Sequence, residues 1–290
     1  MTAHTAPPAL PAPPALPDLS DQAPSHCSAC GAASPQPLGD KDFAYSCNDH
    51  FAGTAQFPPA DAPVRYHRCG NCQFTFTAAL DGWTPQDFQA HIYNADYVRA
   101  DPVFADVRPT RNSQMVAALW NRALQDTVVL DFGGGDGTFA RRLQAMGHRC
   151  HTVDPFHGED TPELLDSYDL ITCFEVIEHV PHGDLDGWFT TLLGHLSPQG
   201  TVLLSTELLD ADMALSNWYI APRNGHISLH TAASLRALAA HHGLSVFSIN
   251  HEMHLLRRPR TEGCGYRNRA MGDRLTVLDT LGDPPPSLAP

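Results

Sequence analysis

The stretch that most constrains this chain is Thr127-Val128-Val129-Leu130-Asp131-Phe132-Gly133-Gly134-Gly135-Asp136-Gly137-Thr138-Phe139. A β-branched and aliphatic run ends in an acid, and a glycine-dense turn then opens a helical pattern from Phe139 to Met146. That order reads as a buried strand, a tight loop and a helix N-terminus, the βα unit of a nucleotide-binding fold. Glycines at 133, 135 and 137 give G-x-G-x-G, whereas the dinucleotide fingerprint needs glycine where Thr138 stands. Loss of side chains lets the backbone turn sharply and approach a ligand, and amides at the helix start can meet a polar group. Taken alone, the loop is also compatible with a plain turn before a helix.

The residues that follow keep the same rhythm. Gly147 is a natural helix stop, and Cys150 to Val153 reads as a second strand ending in Asp154. An acid at that strand end is placed to take the ribose hydroxyls of a nucleotide, and Phe156 could pack on the base or in the core. Only a short segment separates Asp154 from the strand Leu170 to Phe174, so the usual intervening strand and helix must be abbreviated. Leu185 to Leu196 reads as a helix, Ser197 to Gly200 as a turn, and Thr201 to Thr206 as a strand. Thr231 caps a further helix to His242, followed by strands at Leu244 to Ile249 and Met253 to Leu256. Strand and helix in alternation predict an α/β fold: a Rossmann-like, doubly wound, mostly parallel sheet with helices on both faces.

The D-x-G-x-G-x-G order of Asp131 to Gly137 resembles motif I of class I S-adenosylmethionine (SAM) methyltransferases, in which this loop holds the methionine part of the cofactor. The run Tyr168-Asp169-Leu170-Ile171-Thr172-Cys173-Phe174-Glu175-Val176-Ile177-Glu178-His179 resembles the motif IV region of the same family. The resemblance covers about residues 125 to 255. It implies SAM as cofactor, with contacts from Asp131, Gly133, Gly135, Gly137, Asp154, Phe156 and Phe174.

Ahead of this domain lie two C-x-x-C pairs, Cys27/Cys30 and Cys69/Cys72. Each places two thiolates within reach of one tetrahedral ion, and two pairs close a four-thiolate site of structural type. A structural zinc is the expectation, with unligated thiols or a redox pair as the alternatives. Cys47, His26, His50 and His67 read as bystanders. The chain therefore divides into a disordered Pro/Ala-rich tail (1–25), a zinc-binding module (26–80), a helical connector capping the cleft (81–124), a methyltransferase domain (125–257) and an irregular tail (258–290). This layout also resembles the sugar C-methyltransferases, which generally carry a further C-terminal domain for which this sequence has no room.

Composition narrows the partners. The net charge of −14, with 18 Lys and Arg against 32 Asp and Glu, argues against a broad nucleic-acid surface. No apolar run approaches a membrane span and no secretory signal is visible, so a cytoplasmic protein acting on a small molecule is expected. Oligomeric state is not legible.

Glu175, Glu178 and His179 share one face if they lie on a helical turn. This E-x-x-E-H arrangement resembles that of small-RNA 3′-end 2′-O-methyltransferases, in which two glutamates and two histidines hold a divalent metal. Ubiquinone-pathway O-methyltransferases show a related acidic cluster. The position of the second histidine implies His226, with His230 as the alternative. Such a set suits Mg²⁺, Mn²⁺ or Zn²⁺. The other mechanism keeps His179 as a general base with no metal. Tyr93, Tyr97, Arg108, Arg111, Trp218 and Arg223 are further cleft candidates. The expected reaction is SAM-dependent O-methylation of a small-molecule hydroxyl. Sugar C-methylation, RNA 2′-O-methylation and a non-catalytic SAM-binding subunit stand as alternatives.

Overall fold

The computed structural model describes residues 16, 17, 19, 24–120, 124, 127–157 and 163–259. The expectations for most of the N-terminal tail and nearly all of the C-terminal tail lie outside these residues. Among the described residues the main sheet has six strands, in the order β5-β4-β6-β7-β10-β9. They are β4 (Val128–Phe132), β5 (Arg149–Val153), β6 (Tyr168–Phe174), β7 (Leu196–Ser205), β9 (Ser245–Ser248) and β10 (Met253–Arg257). β5, β4, β6 and β7 run parallel, and β10 returns antiparallel to both β7 and β9. Among the described residues β5 and β9 are the edge strands, and nothing pairs beyond β5, consistent with the short segment after Asp154.

Period-two alternation assigns each strand residue to a face. Leu130, Ile171, Val202 and Leu204 join one core with α6 (Leu185–Gly194) and α7 (Ala232–His241). Val129, Leu170, Leu203 and Leu255 join the other, against α4 (Val107–Trp120) and α5 (Thr138–Ala145). Both faces are covered, as the uninterrupted apolar strands require.

Two boundaries differ from the sequence reading. β7 begins at Leu196: Tyr168 pairs with Leu196 and Leu170 with Thr201, so Ser197–Gly200 bulges out of a strand rather than preceding it. Arg108-Pro109, which as an X-Pro pair in a helical pattern reads as a break, does not interrupt one, because α4 starts at Val107 and puts the proline in its first turn, where a missing N–H costs nothing.

A second, four-stranded sheet has the order β1-β2-β3-β8: β1 (Gln36–Asp42), β2 (Pro63–Arg68), β3 (Thr75–Phe76) and β8 (Ser228–Leu229). Its last strand comes from between β7 and α7, so the chain leaves the main sheet to complete the second one and then returns. Helices α1 (Cys47–Ala52), α2 (Pro85–His91) and α3 (Tyr97–Ala100) surround it.

Candidate active site

The C-terminal ends of the adjacent parallel strands β4 and β6 carry the glycine loop and the Glu175–His179 turn. Gly133 lies directly against that turn: a Cβ there would sit 2.5 Å from Val176 Cγ2. Gly134 is enclosed, with Asp131 Oδ2 at 2.1 Å and Thr152 Oγ1 at 2.3 Å from its Cβ position. Gly135, at φ +57°, faces open space. Asp131 is buried, accepts from Thr172 Oγ1 at 3.1 Å, and is pushed up to about 7 by desolvation. Asp154 accepts from the Gly135 amide at 2.9 Å and the Phe156 amide at 2.8 Å, so it braces the loop. Phe156 packs on Tyr93 at 5.0 Å between ring centroids, whereas Phe174 packs into the α5 core against Phe139.

After β6 the chain does not enter a regular helix. Glu175 takes φ +54°, and the short 3₁₀ turn spans only Ile177–His179. The expected single face of Glu175, Glu178 and His179 is therefore not formed. The Glu175 amide donates to Ser205 Oγ at 3.0 Å, and its carboxylate accepts from that hydroxyl at 2.7 Å. Converging instead are Glu178, His179 and His226, whose ligand atoms all lie within 4.8 Å of one another.

The surroundings of these three groups define their state. Glu178 is 0% exposed; the Tyr219 and Thr206 hydroxyls lie near its carboxylate without making a hydrogen bond of normal geometry to it, and His179 Nε2 is 3.9 Å from Oε1. Burial, and then the nearby Glu175 charge, push its carboxyl well above the usual range. His179 Nδ1 lies 3.1 Å from the Gly225 carbonyl and His226 Nδ1 lies 2.8 Å from the Tyr219 carbonyl. A carbonyl only accepts, so each Nδ1 carries the proton and each Nε2 keeps its lone pair. Burial holds His179 down at about 4 and His226 well below its ordinary value, so both are neutral near pH 7. Two neutral imidazoles oriented by backbone carbonyls, beside an orphaned carboxylate, fit a divalent cation. His230 is excluded from this group, being buried against the Phe74 ring at 4.7 Å.

The four cysteines also converge. Cys27 Sγ and Cys72 Sγ are 3.6 Å apart, as are Cys30 Sγ and Cys69 Sγ. A tetrahedral ion with sulfur ligands at about 2.3 Å has ligand–ligand edges of about 3.8 Å, which matches. A hydrogen bond with Cys72 pulls the Cys27 thiol down to about 5, favouring thiolate. None of Cys47, His26, His50 or His67 joins the cluster. Cys47 instead sits 3.6 Å from His226 Nδ1.

Among the other cleft candidates, Arg223 is buried and donates to Ile92 O and Asn94 Oδ1, so it braces the fold rather than facing a substrate. Tyr93 stacks edge-on against His179 at 5.9 Å. Sequence reasoning missed Tyr66, whose buried hydroxyl donates to His226 O at 2.8 Å, and Ser205. No local pattern marks either, since both contacts are made across long sequence separations. Among the described residues, no helix is long and apolar enough to cross a membrane.

The Methyltransferase domain family matches residues 104–249. A ubiquinone biosynthesis O-methyltransferase of Rickettsia akari (strain Hartford) is 30% identical over 115 residues, covering 32% of this chain and 45% of that protein. The corresponding protein of Rickettsia felis is 30% identical over 100 residues, covering 27% and 40%. The chain thus spans less than half the length of these curated relatives. Among solved structures, mitomycin 7-O-methyltransferase is 17% identical with a TM-score of 0.45, covering 62% of this chain and 60% of that one. A Burkholderia thailandensis 1,6-didemethyltoxoflavin-N1-methyltransferase is 17% identical with a TM-score of 0.42, covering 69% and 96%. The family match spans half of the sequence and includes both the glycine loop and the Glu178–His226 cluster: the chain belongs to the methyltransferase domain family.

Proposed function

We propose that the protein transfers a methyl group from SAM to a hydroxyl of a small molecule, at a site where Glu178, His179 and His226 hold a divalent ion such as Mg²⁺ or Mn²⁺. The observation that carries the proposal is the Glu178 carboxylate, fully buried with no cationic side chain and only the Tyr219 and Thr206 hydroxyls near it, converging with two histidines whose Nε2 lone pairs are free of their backbone bonds. A buried carboxylate without a counter-charge is costly, and a cation there removes that cost.

The glycine loop, braced by Asp154, presents Gly135 to the cofactor, and proximity of acceptor to methyl can contribute about 7–11 kcal/mol in well-oriented cases. SAM supplies an electrophilic methyl on sulfonium, and the divalent ion would lower the pKa of an acceptor hydroxyl. His179 alone is a poor general base, because at about 4 it has little driving force to take a hydroxyl proton. Tyr93, lying between Phe156 and His179, spans from the cofactor side to the acceptor side. Zinc in the four-cysteine cluster completes the reading.

The test is transfer of labelled methyl from SAM to a panel of phenols, catechols and aliphatic alcohols. It is run with and without a chelator mild enough to leave the cysteine-bound metal in place. Expected is methyl incorporation that stops on chelation and returns with Mg²⁺ or Mn²⁺, while SAM affinity stays constant. Chelator-resistant turnover by a His226→Ala variant would refute the metal.

A further inference from the structure

The segment 222–231 carries His226 and is anchored from three sides: by Ile92, Asn94, Tyr97 and Ala100 of the connector, by the catalytic turn, and by the cysteine module. The Arg223 amide donates to Tyr45 O at 3.0 Å, and Asn224 Oδ1 accepts from the Cys47 amide at 2.9 Å. Tyr66 Oη donates to His226 O at 2.8 Å, and the Thr77 amide donates to Ile227 O at 3.0 Å. β3 pairs with β8 through Thr75–Leu229 and Phe76–Ser228, and Thr231 Oγ1 donates to Cys72 O at 2.7 Å. The other side of the same strip is tied to the catalytic turn: Ile227 N donates to Glu178 O at 2.8 Å and Ser228 Oγ to Val180 O at 2.6 Å.

The strip therefore lies between the cysteine module and the turn that bears Glu178 and His179. β3 has two residues, too few to hold a ladder by themselves. What fixes it is the knuckle beside it: the Cys69 amide donates to Phe74 O at 2.9 Å, and Gln73, at φ +60°, donates back to Cys69 O at 3.0 Å. Three of the four cysteines are at most 4% exposed and belong to the same core as α6 and α7. None of the anchors named above reaches the glycine loop.

We infer that the cysteine cluster is a working part of the catalytic centre: metal binding there fixes β2 and β3, which hold His226 in place against Glu178 and His179, with Tyr66 as a positioning residue. The inference rests on the two metal readings proposed above. It separates the two halves of the reaction, since the acceptor side depends on the cysteines and the cofactor side does not. Outer partners of metal ligands typically matter by about 10–100-fold in affinity.

The experiment compares full-length wild type, Tyr66→Phe and Cys72→Ser in three measurements. These are Mn²⁺ affinity by calorimetry after zinc loading, SAM affinity, and amide exchange over 226–229. Tyr66→Phe removes one oxygen and keeps the ring packing. Expected is a 10-fold or greater loss of Mn²⁺ affinity with SAM affinity within 2-fold of wild type, the latter also showing that the main sheet is folded. Cys72→Ser should in addition lose zinc and exchange faster at 226–229. Wild-type Mn²⁺ affinity and slow exchange in both variants would overturn the inference while leaving the metal readings standing. Wild type that takes up zinc but no Mn²⁺ refutes the active-site metal instead, and exchange over 226–229 in Cys72→Ser then decides the inference. Wild type without zinc refutes the zinc reading and this inference with it.

Discussion

Two neighbouring glycines of the 133–137 loop should fail in opposite ways when replaced by alanine. At Gly134 a Cβ would lie 2.1 Å from Asp131 Oδ2 and 2.3 Å from Thr152 Oγ1, and both partners belong to paired strands that cannot swing away. Overpacking of this kind costs about 1–3 kcal/mol and occasionally more, and the contacts here are far below van der Waals distance. At Gly135 a Cβ meets no protein atom within 4 Å, but φ is +57°. An L-residue in that region costs roughly 1–2 kcal/mol, with no further steric penalty. The same open space is where a cofactor would approach, so Gly135→Ala should weaken SAM binding by 10-fold or more, about 1.4 kcal/mol per decade. Urea unfolding at constant m-value gives the stability loss, and titration calorimetry gives the SAM affinity. Gly134→Ala is expected to be the less stable protein and Gly135→Ala the weaker binder. Wild-type SAM affinity in Gly135→Ala would refute the assignment of this loop to the cofactor.

Glu178→Gln should stabilise the protein at neutral pH in the presence of chelator while abolishing the response to Mn²⁺. The sign follows from linkage: a carboxyl raised above its ordinary value of 4.5 keeps its proton in the folded state and loses it in the unfolded state, so stability falls as pH rises above about 4.5. The gain in melting temperature should therefore vanish on acidification to pH 4.5, and a pH-independent gain would contradict the burial of that charge. The histidines predict the reverse slope. His179 is held down at about 4, so its contribution is complete above about 6.5 and is lost as pH falls toward 4, an effect His179→Gln should remove from the stability profile. His226→Ala should lose Mn²⁺ binding, whereas His230→Ala should keep it and lose about 1–3 kcal/mol of stability, as a buried ring packed against Phe74 is removed. Equal effects of the two on Mn²⁺ would undo the selection of His226.

The main sheet was legible because its signals are local. Val128–Phe132 and Leu170–Phe174 are apolar runs closed by a glycine loop or an acid, and α7 carries a Thr231 cap that accepts from the Ser234 amide. The four cysteines were legible for the same reason, since each pair lies within one knuckle. Glu175 was misplaced because helical spacing was assumed across a residue whose positive φ interrupts the turn, and nothing in E-x-x-E-H announces that. β1 escaped notice because Pro37 and Gly39 lie within it and none of its residues is buried. β8 has two residues and is defined by its partner β3, about 150 positions earlier. Tyr66 was invisible by the same logic: its role is a single hydroxyl bond to a backbone carbonyl 160 residues away.

The most direct test of the account is anomalous diffraction from crystals grown with Mn²⁺ and S-adenosylhomocysteine, measured on both sides of the zinc and manganese absorption edges. The account predicts a zinc peak enclosed by Cys27, Cys30, Cys69 and Cys72. It also predicts a manganese peak within about 2.0–2.3 Å of Glu178, His179 Nε2 and His226 Nε2, with the ligand's sulfur beside the loop at Gly135. A cysteine peak alone, with Glu178 turned to a protein hydrogen bond and no manganese between the histidines, would contradict it.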